Sequence, residues 1–270
     1  MEIINSTKIG YKSEFAILII SSDKYADIWP IFFYCLRKNW PDCIFSVYLG
    51  TNKLVYQDSM LTSTILSGDD QDWSTSLISI LDQIKEKYLL VILEDFIITS
   101  RVSNDEIISH FCYMYENSIN HMHFSEIGLP YDFELNNTYG IYEKGAPYRA
   151  NVFGFWKKDC LTAILQHGES PWDFEIMGSY RSSGWNNFLS IKNSPFRIIN
   201  ILKKGSYMPA SVKECESIDI KLSFEKRKLL NSEKFFKYFI REKYFKYINK
   251  VPWKYRVKLM NYLRKALVSY

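Results

Sequence analysis

The sequence has no hydrophobic run long enough to cross a membrane, no paired-cysteine motif and no glycine-rich phosphate loop. None of its apolar runs approaches the roughly 20 residues of a membrane-spanning helix, and its polar beginning is unlike a signal peptide. The five cysteines are odd in number, widely spaced and without a CxxC pair, so neither a disulfide framework nor a zinc site is indicated. The missing GxGxxG, GxxxxGK[ST] and GxSxG motifs exclude the simplest dehydrogenase, P-loop and hydrolase interpretations. We therefore expect a protein of the reducing cytoplasm.

Positive charge is concentrated at the end of the chain. Residues 226–270 carry 14 Lys and Arg but only 2 Asp and Glu, a net charge of +12, which leaves residues 1–225 with −8. The sequence thus predicts an acidic globular domain, residues 1–222, followed by a basic helical extension, residues 223–270.

Short apolar segments alternate with helical patterns through the first half of the chain. Strand patterns occupy 15–20, 45–50, 63–68 and 88–93, and helical patterns occupy 26–40, 73–84 and 103–119. Asp27, Asp72 and Ser103 are the predicted helix caps. The alternation predicts an α/β fold, and the strand 88–93, apolar on both faces, belongs at the centre of a mainly parallel sheet.

Two adjacent carboxylates, Glu94 and Asp95, follow that central strand directly. Ligands bind beyond the carboxyl ends of strands in open α/β sheets, so this pair should project into a crevice. Two carboxylates there suit Mg²⁺ or Mn²⁺, whose remaining positions substrate phosphates can fill. The alternative is structural, with Asp95 capping a turn and Glu94 facing solvent.

The order of these features resembles the GT-A glycosyltransferases, in particular small bacterial enzymes that build capsule, O-antigen or other surface polysaccharide. The resemblance spans roughly residues 14–200. It implies a Rossmann-type mixed, mainly parallel sheet flanked by helices, and a nucleotide-sugar site whose residues lie in three places: Ser21, Ser22 and Asp23 after the first strand, Asp72 and Trp73 at a helix start, and Glu94 and Asp95 as the acidic motif.

One position departs from the acidic motif of that family. Phe96 stands where a third acidic residue is usual. Either Asp95, helped by Glu94, binds the divalent cation, or cationic side chains hold the phosphates without a metal. The departure also supports an alternative function, a non-catalytic sugar- or nucleotide-binding scaffold of a polysaccharide assembly complex.

A second acidic cluster occupies residues 167–175. Asp173 and Glu175 are candidates for the general base that takes a proton from the acceptor hydroxyl, with Asp173 favoured. Trp172 offers an aromatic face for a sugar ring, and Arg149 and Asn151 are further candidates for acceptor binding. The structural alternative makes Asp173 a helix cap and Trp172 a core residue. His121 and His123 lack a convincing third zinc ligand.

The extension interleaves Lys and Arg with Phe, Tyr and Trp over residues 232–270, in two helical patterns divided at Pro252. This composition is typical of helices that lie on an anionic membrane surface. Binding to nucleic acid is disfavoured by the acidic domain, and packing on the domain or on a second subunit is the other alternative. Together these features predict a cytoplasmic glycosyltransferase, peripheral on the inner face of the plasma membrane, that moves a sugar from a nucleotide-sugar donor to a glycan or lipid-linked glycan acceptor.

Overall fold

The computed structural model describes residues 12–124, 133–146, 148–203 and 205–231, together with single residues of the stretch 232–270. In this part of the chain the strands are β1 (Phe15–Ile20), β2 (Ser46–Thr51), β3 (Ser63–Leu66), β4 (Tyr88–Leu93), β5 (Phe96–Ile98), β6 (His121–Phe124), β7 (Phe133–Glu134), β8 (Tyr139–Ile141), β9 (Gly154–Lys157), β10 (Phe188–Ile191), β11 (Ile198–Asn200), β12 (Leu202–Lys203) and β13 (Ser206–Tyr207). The helices are α1 (Trp29–Asn39), α2 (Trp73–Leu81), α3 (Asn104–Glu116), α4 (Lys158–Ile164), α5 (171–181) and α6 (Pro209–Ser217).

Nine of these described strands form one sheet in the order β3-β2-β1-β4-β9-β6-β10-β8-β7. The four strands β3, β2, β1 and β4 are parallel, whereas β9 runs antiparallel between β4 and β6. Because β6 and β10 are again parallel, and β8 and β7 alternate, seven of the nine strands point the same way. The predicted fold class, a mixed and mainly parallel α/β sheet flanked by helices, is confirmed.

Helices cover both faces of the sheet. Alternate residues of β1 and β4 contribute to two separate hydrophobic cores, one beneath α1 and α3 and the other beneath α2 and α4. Every residue of β1 is buried, and all of β4 is buried except Leu93, which is half-buried. The apolar-on-both-faces pattern of the central strand follows from this three-layer arrangement.

Two of the three predicted helix caps are confirmed. Asp72 caps α2 by accepting a hydrogen bond from the Thr75 N–H, and Ser103 caps α3 in the same way from Glu106. The cap predicted at Asp27 is wrong, because α1 begins one residue later, behind Ile28, and the Asp27 carboxylate is bound to Arg227 instead.

Residues beyond 222 contact the globular part of the chain. Leu230 donates its N–H to the Tyr207 carbonyl of β13, and the domain boundary at 222/223 stays a prediction. The two predicted tail helices lie mostly outside the described residues, and no helix in the described part has the length and apolar character to span a bilayer.

Candidate functional site

The loops that follow β1 and β2 are joined at the carboxyl edge of the sheet by Asp23. Its carboxylate accepts hydrogen bonds from the backbone N–H groups of Asn52, Lys53 and Leu54 at 3.1–3.2 Å, and its own N–H donates to the Asn52 side chain. The neighbouring Ser21 hydroxyl accepts a bond of 2.8 Å from the Trp29 indole. These residues therefore shape the loop that the family resemblance assigns to the nucleotide, and the Asp23 oxygens are already engaged by backbone donors.

Asp72 and Trp73 connect the start of α2 with the segment that leads into α5. Burial alone would raise the pKa of Asp72, but hydrogen bonds from the Thr75 N–H and hydroxyl and from Ser74 and Gly168 lower it to about 2. The Trp73 ring packs on Phe174 of α5 with centroids 5.5 Å apart. The two predicted features, Asp72–Trp73 and the 167–175 cluster, are thus brought side by side.

Glu94 and Asp95 lie at the carboxyl end of β4, as the sequence predicts. Glu94 is only 7% exposed, and Asp95 is half-buried. Burial first, and then the adjacent Asp95 carboxylate, raise the pKa of Glu94 well above its ordinary value. Burial likewise raises the pKa of Asp95 to about 6. Because Glu94 is buried, the expectation that it faces solvent as a surface residue is excluded.

Three residues that sequence reasoning missed surround this pair. Arg227 and Lys203 lower the pKa of Asp95, and the two carboxylates in turn raise the pKa of Tyr25, after the larger effect of burial. Lys203 comes close because the Ile201 N–H binds the Asp95 carbonyl at 3.0 Å, two residues away. Nothing in the sequence separates Lys203 or Arg227 from the other basic residues, since both reach the site only through tertiary contacts.

The acidic pair fits a divalent cation of the Mg²⁺ or Mn²⁺ type. Adjacent carboxylates whose pKa values are raised by burial are stabilised in their ionised form by a bound cation. Among the described residues no group of three or more His, Cys, Asp or Glu side chains could hold a metal. Glu94 and Asp95 would therefore supply two ligands, and the rest would come from phosphate or water.

Helix α5 presents the two candidate bases in different surroundings. The exposed Asp173 carboxylate accepts hydrogen bonds from the Ser170 N–H at 3.1 Å and the Ser170 hydroxyl at 2.6 Å, which lower its pKa. Glu175 lies in a π-helical turn, Phe174–Gly178, where burial raises its pKa to about 7 against the opposing effects of the Val152 N–H and Lys203. The Asp173 carboxylate closes a capping box, whereas Glu175 has the more suitable pKa for a base, so we carry Glu175 forward as the preferred candidate.

Lys203 also relates Glu175 to the acidic pair. Its ammonium group lowers the pKa of both Asp95 and Glu175, so Lys203 lies within electrostatic range of both carboxylates. The strand pair β12–β13 holds Lys203 opposite Ser206. Of the second acidic cluster, Glu175 is therefore the residue that shares a charged neighbour with the first.

The predicted acceptor residues divide into one exposed and two buried side chains. Trp172 is 57% exposed, which excludes the core alternative. Arg149 is 1% exposed, donates to the Ser182 hydroxyl and the Trp185 carbonyl, each at 2.9 Å, and lies over the Phe188 ring. Asn151 is also buried, and its side chain accepts from the Phe153 N–H. Both side chains therefore contribute to the interior, and their role in acceptor binding stays a prediction.

The histidines of β6 are buried beneath this region. His121 stacks on Trp156 with centroids 3.7 Å apart and bonds to the Phe155 carbonyl at 2.9 Å. Burial lowers the pKa of His123 to about 4, and burial and the neighbouring His123 lower that of His121 well below its usual value. Both rings therefore belong to the interior as neutral groups.

A separate cavity of about 430 Å³ lies beyond the β5–β11 strand pair. It is lined by Ser100, Phe153, Ser194, Pro195, Phe196, Arg197 and Ile198. None of these lining residues belongs to the set predicted from the sequence.

Comparison with known proteins gives matches to solved structures only. No family model and no curated protein matches the chain. The chain is similar to S. aureus TarS 1–349 in complex with UDP-GlcNAc, at 11% identity and a TM-score of 0.47, over 72% of this chain and 60% of that one. It is also similar to CMP:2-keto-3-deoxy-manno-octonic acid synthetase complexed with CTP, at 11% identity and a TM-score of 0.48, over 76% of this chain and 98% of that one.

A third similar structure is the bifunctional IspDF from Campylobacter jejuni, at 12% identity and a TM-score of 0.37, over 69% of this chain and 52% of that one. The chain spans 36% to 60% of the length of the first three TarS chains that it matches. At 11–12% identity, no residue of the present site is equated with a residue of these proteins.

Proposed function

We propose that this protein is a glycosyltransferase that moves a sugar from a nucleotide-sugar donor to a glycan acceptor. The observation that carries the proposal is that two carboxylates, Asp95 beside the buried Glu94 and Glu175 with a pKa near 7, both lie within electrostatic range of Lys203 at the carboxyl edge of the sheet. Such an edge is the usual place for a nucleotide in an open α/β sheet.

The donor would lie between the loop after β1 and the acidic pair. Asp23 holds the loop after β1 in place, because its carboxylate accepts hydrogen bonds from three backbone N–H groups. A divalent cation held by Glu94 and Asp95 would supply charge neutralisation for the diphosphate. The Lys203 ammonium adds positive charge on the same side, where the diphosphate leaves.

The acceptor would approach from the α5 side. Glu175 takes the proton from the acceptor hydroxyl, the acceptor oxygen bonds to the anomeric carbon of the donor sugar, and the carbon–oxygen bond to the diphosphate breaks with its electron pair leaving on the nucleotide. A base with a pKa near 7 is half ionised at neutral pH, which suits this proton transfer. The exposed ring of Trp172, three residues earlier, lies on the side from which the acceptor would approach.

The acceptor we propose is a surface glycan carried on a lipid at the cytoplasmic face of a bacterial membrane. The support is the basic, aromatic extension with its net charge of +12 over residues 226–270, which suits an anionic lipid surface. Capsule and O-antigen glycans are the acceptors of the enzymes that the sequence resembles.

A non-catalytic scaffold that binds a nucleotide or sugar is the second candidate. It is favoured by Phe96, whose ring packs edge-on against Phe153 at 5.2 Å where a third acidic residue is usual. This contact fills the position with hydrophobic packing and leaves the site with two carboxylates.

Release of free nucleotide from a panel of UDP-, GDP-, dTDP- and CMP-sugars separates the two candidates. An enzyme releases nucleotide from one or few donors, and Glu175→Gln keeps donor affinity while losing most of that release. Tight binding of a donor with no release, in the presence of candidate lipid-linked glycans, would instead establish the scaffold.

A further inference from the structure

The outward face of α5 exposes four apolar side chains beside the exposed carboxylate of Asp173, which lies in the first turn. Trp172, Ile176, Met177 and Tyr180 are 57%, 46%, 50% and 63% exposed, respectively. Surface helices normally turn polar residues to solvent, and contiguous exposed apolar side chains mark interaction sites. We name these four residues the α5 apolar face.

The inner face of α5 fixes this orientation. Phe174 and Gly178 are buried there, and a Cβ on Gly178 would approach the Phe174 ring to 2.9 Å, so the two residues pack without spare room. The buried Ser179 hydroxyl accepts from the Ala150 N–H at 2.9 Å and donates to the Glu175 carbonyl at 2.6 Å. The helix therefore cannot rotate to bury its outer side chains without breaking these contacts.

One described residue of the extension, Lys254, is linked through a series of contacts to the end of α5. Lys254 of the extension pairs with Glu143 at 2.6 Å. The preceding residue, Tyr142, accepts through its carbonyl from Arg149, which in turn donates to Ser182, next to the last residue of α5. A short chain of contacts thus joins the extension to the helix.

The described residues of the extension repeat the character of the α5 apolar face. Phe236, Ile240, Tyr255 and Tyr262 are 62%, 53%, 64% and 70% exposed. Phe236 and Ile240 are four residues apart, and both are helical, so they share one side. Exposed aromatics among 14 basic residues give this surface the two properties that an anionic bilayer binds, apolar area and positive charge.

We propose that the α5 apolar face is a second membrane-contacting element, which inserts Trp172, Ile176, Met177 and Tyr180 into the interface of an anionic bilayer beside the basic extension. Tryptophan and tyrosine favour that interface because each ring has an apolar body and a polar edge. The proposal deepens the proposed function, on which it rests for the identity of the acceptor. Because Glu175 precedes Ile176 directly, the base is held at the bilayer surface, where the hydroxyl of a lipid-linked glycan is presented.

Vesicle binding by the full-length chain tests this proposal without donor or acceptor, so its result is separate from that of the nucleotide-release assay. The probe is vesicles of phosphatidylcholine and phosphatidylglycerol in a ratio of about 7:3. Ile176→Glu should lower the apparent vesicle affinity about tenfold or more. The matched control is Val55→Glu, at a site 65% exposed in the loop between β2 and β3, which should bind as the unchanged protein does.

Trp172→Phe provides a readout that does not depend on the charge substitution. In vesicles made with brominated lipid, part of the tryptophan fluorescence should be quenched, and Trp172→Phe should remove a measurable share of that quenching. Unchanged affinity of Ile176→Glu, or unchanged quenching in Trp172→Phe, would overturn the proposal. The proposal would also be overturned if Ile176→Glu converted a dimer to a monomer while vesicle binding persisted. That result would assign the α5 apolar face to contact with a second copy of the chain.

Discussion

Arg227 binds both carboxylate oxygens of Asp27, with Nε 2.6 Å from Oδ2 and Nη2 2.8 Å from Oδ1, across 200 residues of sequence. The same guanidinium donates to the Lys24 carbonyl and lies over the Tyr25 ring at 4.6 Å. Arg227 therefore connects the turn after β1 to the segment near residue 230. Its charge also reaches Glu94 and Asp95, whose pKa values it lowers.

We expect Arg227→Ala to destabilise the fold by about 3 kcal/mol, since it leaves a buried carboxylate without its partner. The side chains of Arg227 and Asp27 are 9% and 16% exposed. Urea unfolding is the measurement, and Arg101→Ala is the control, because its pair with Asp42 is more than half exposed on both sides and is worth about 0–1 kcal/mol. Equal losses in the two variants would show that the Arg227 pair has no special role.

Glu175→Gln should lower turnover about 10²- to 10⁴-fold with donor affinity retained, as expected for loss of a general base. Asp173→Asn should keep most of the turnover, because that carboxylate is bound to Ser170. In the unchanged enzyme, kcat/KM should rise with pH and level off above about 7, where Glu175 is ionised. A loss confined to Asp173→Asn would return the base to that residue.

Asp95→Asn should abolish the metal dependence of donor binding while leaving the fold intact. The reason is that Asp95, with Glu94, is the carboxylate that we propose as a ligand of the cation. Calorimetric titration of the donor with and without Mg²⁺ measures the effect, and Asp105→Asn, at an exposed position in the first turn of α3, is a carboxylate control. A chelator that leaves wild-type turnover unchanged would argue for phosphate binding by cationic side chains alone.

His123→Leu should reduce the loss of stability in acid. Neither ring nitrogen of His123 has a hydrogen-bond partner, although the Phe124 backbone comes near, so an apolar replacement leaves few groups unsatisfied. The folded pKa is about 4 against 6.5 unfolded, so the unfolded chain binds the proton first and stability falls as the pH drops from about 6.5 to 4. This pKa difference of His123 lowers the free energy of unfolding in acid by up to about 3 kcal/mol.

The buried carboxyls act in the opposite direction over the same range, since the raised pKa values of Asp95 and Glu175 make the folded state bind protons more readily. The test is therefore the difference between His123→Leu and the unchanged protein in urea unfolding at pH 4.5 and pH 7. Parallel stability curves for the two proteins would remove His123 as a source of acid lability.

Deletion of residues 232–270 should release the protein from anionic vesicles, and raised salt should do so in part, because only the electrostatic share of binding is screened. Co-sedimentation with vesicles measures this. Equal binding by the shortened and intact chains would contradict it, and unfolding of the shortened chain would support packing of the extension on the domain.

The sequence alone was sufficient for features set by neighbouring residues. The pattern of β4, apolar on both faces, predicted its central place in the sheet, and the helical spacing of the apolar residues from Trp73 onward predicted Asp72 as the cap of α2. Glu94 and Asp95 were placed at the carboxyl end of β4 for the same reason, since a strand and the residues after it are contiguous in the chain. Local geometry and burial of a whole strand are both encoded over a few residues.

Only the tertiary structure decided which side chains share a site. Arg149 and Asn151 have the chemistry of ligands but lie in the interior, and Glu175 rather than Asp173 has the raised pKa of a base. Lys203 reaches Asp95 because β12 follows the Ile201–Asp95 backbone bond, a contact between segments over 100 residues apart. Burial and electrostatic fields depend on which distant segments meet, and no periodicity in a single sequence records that.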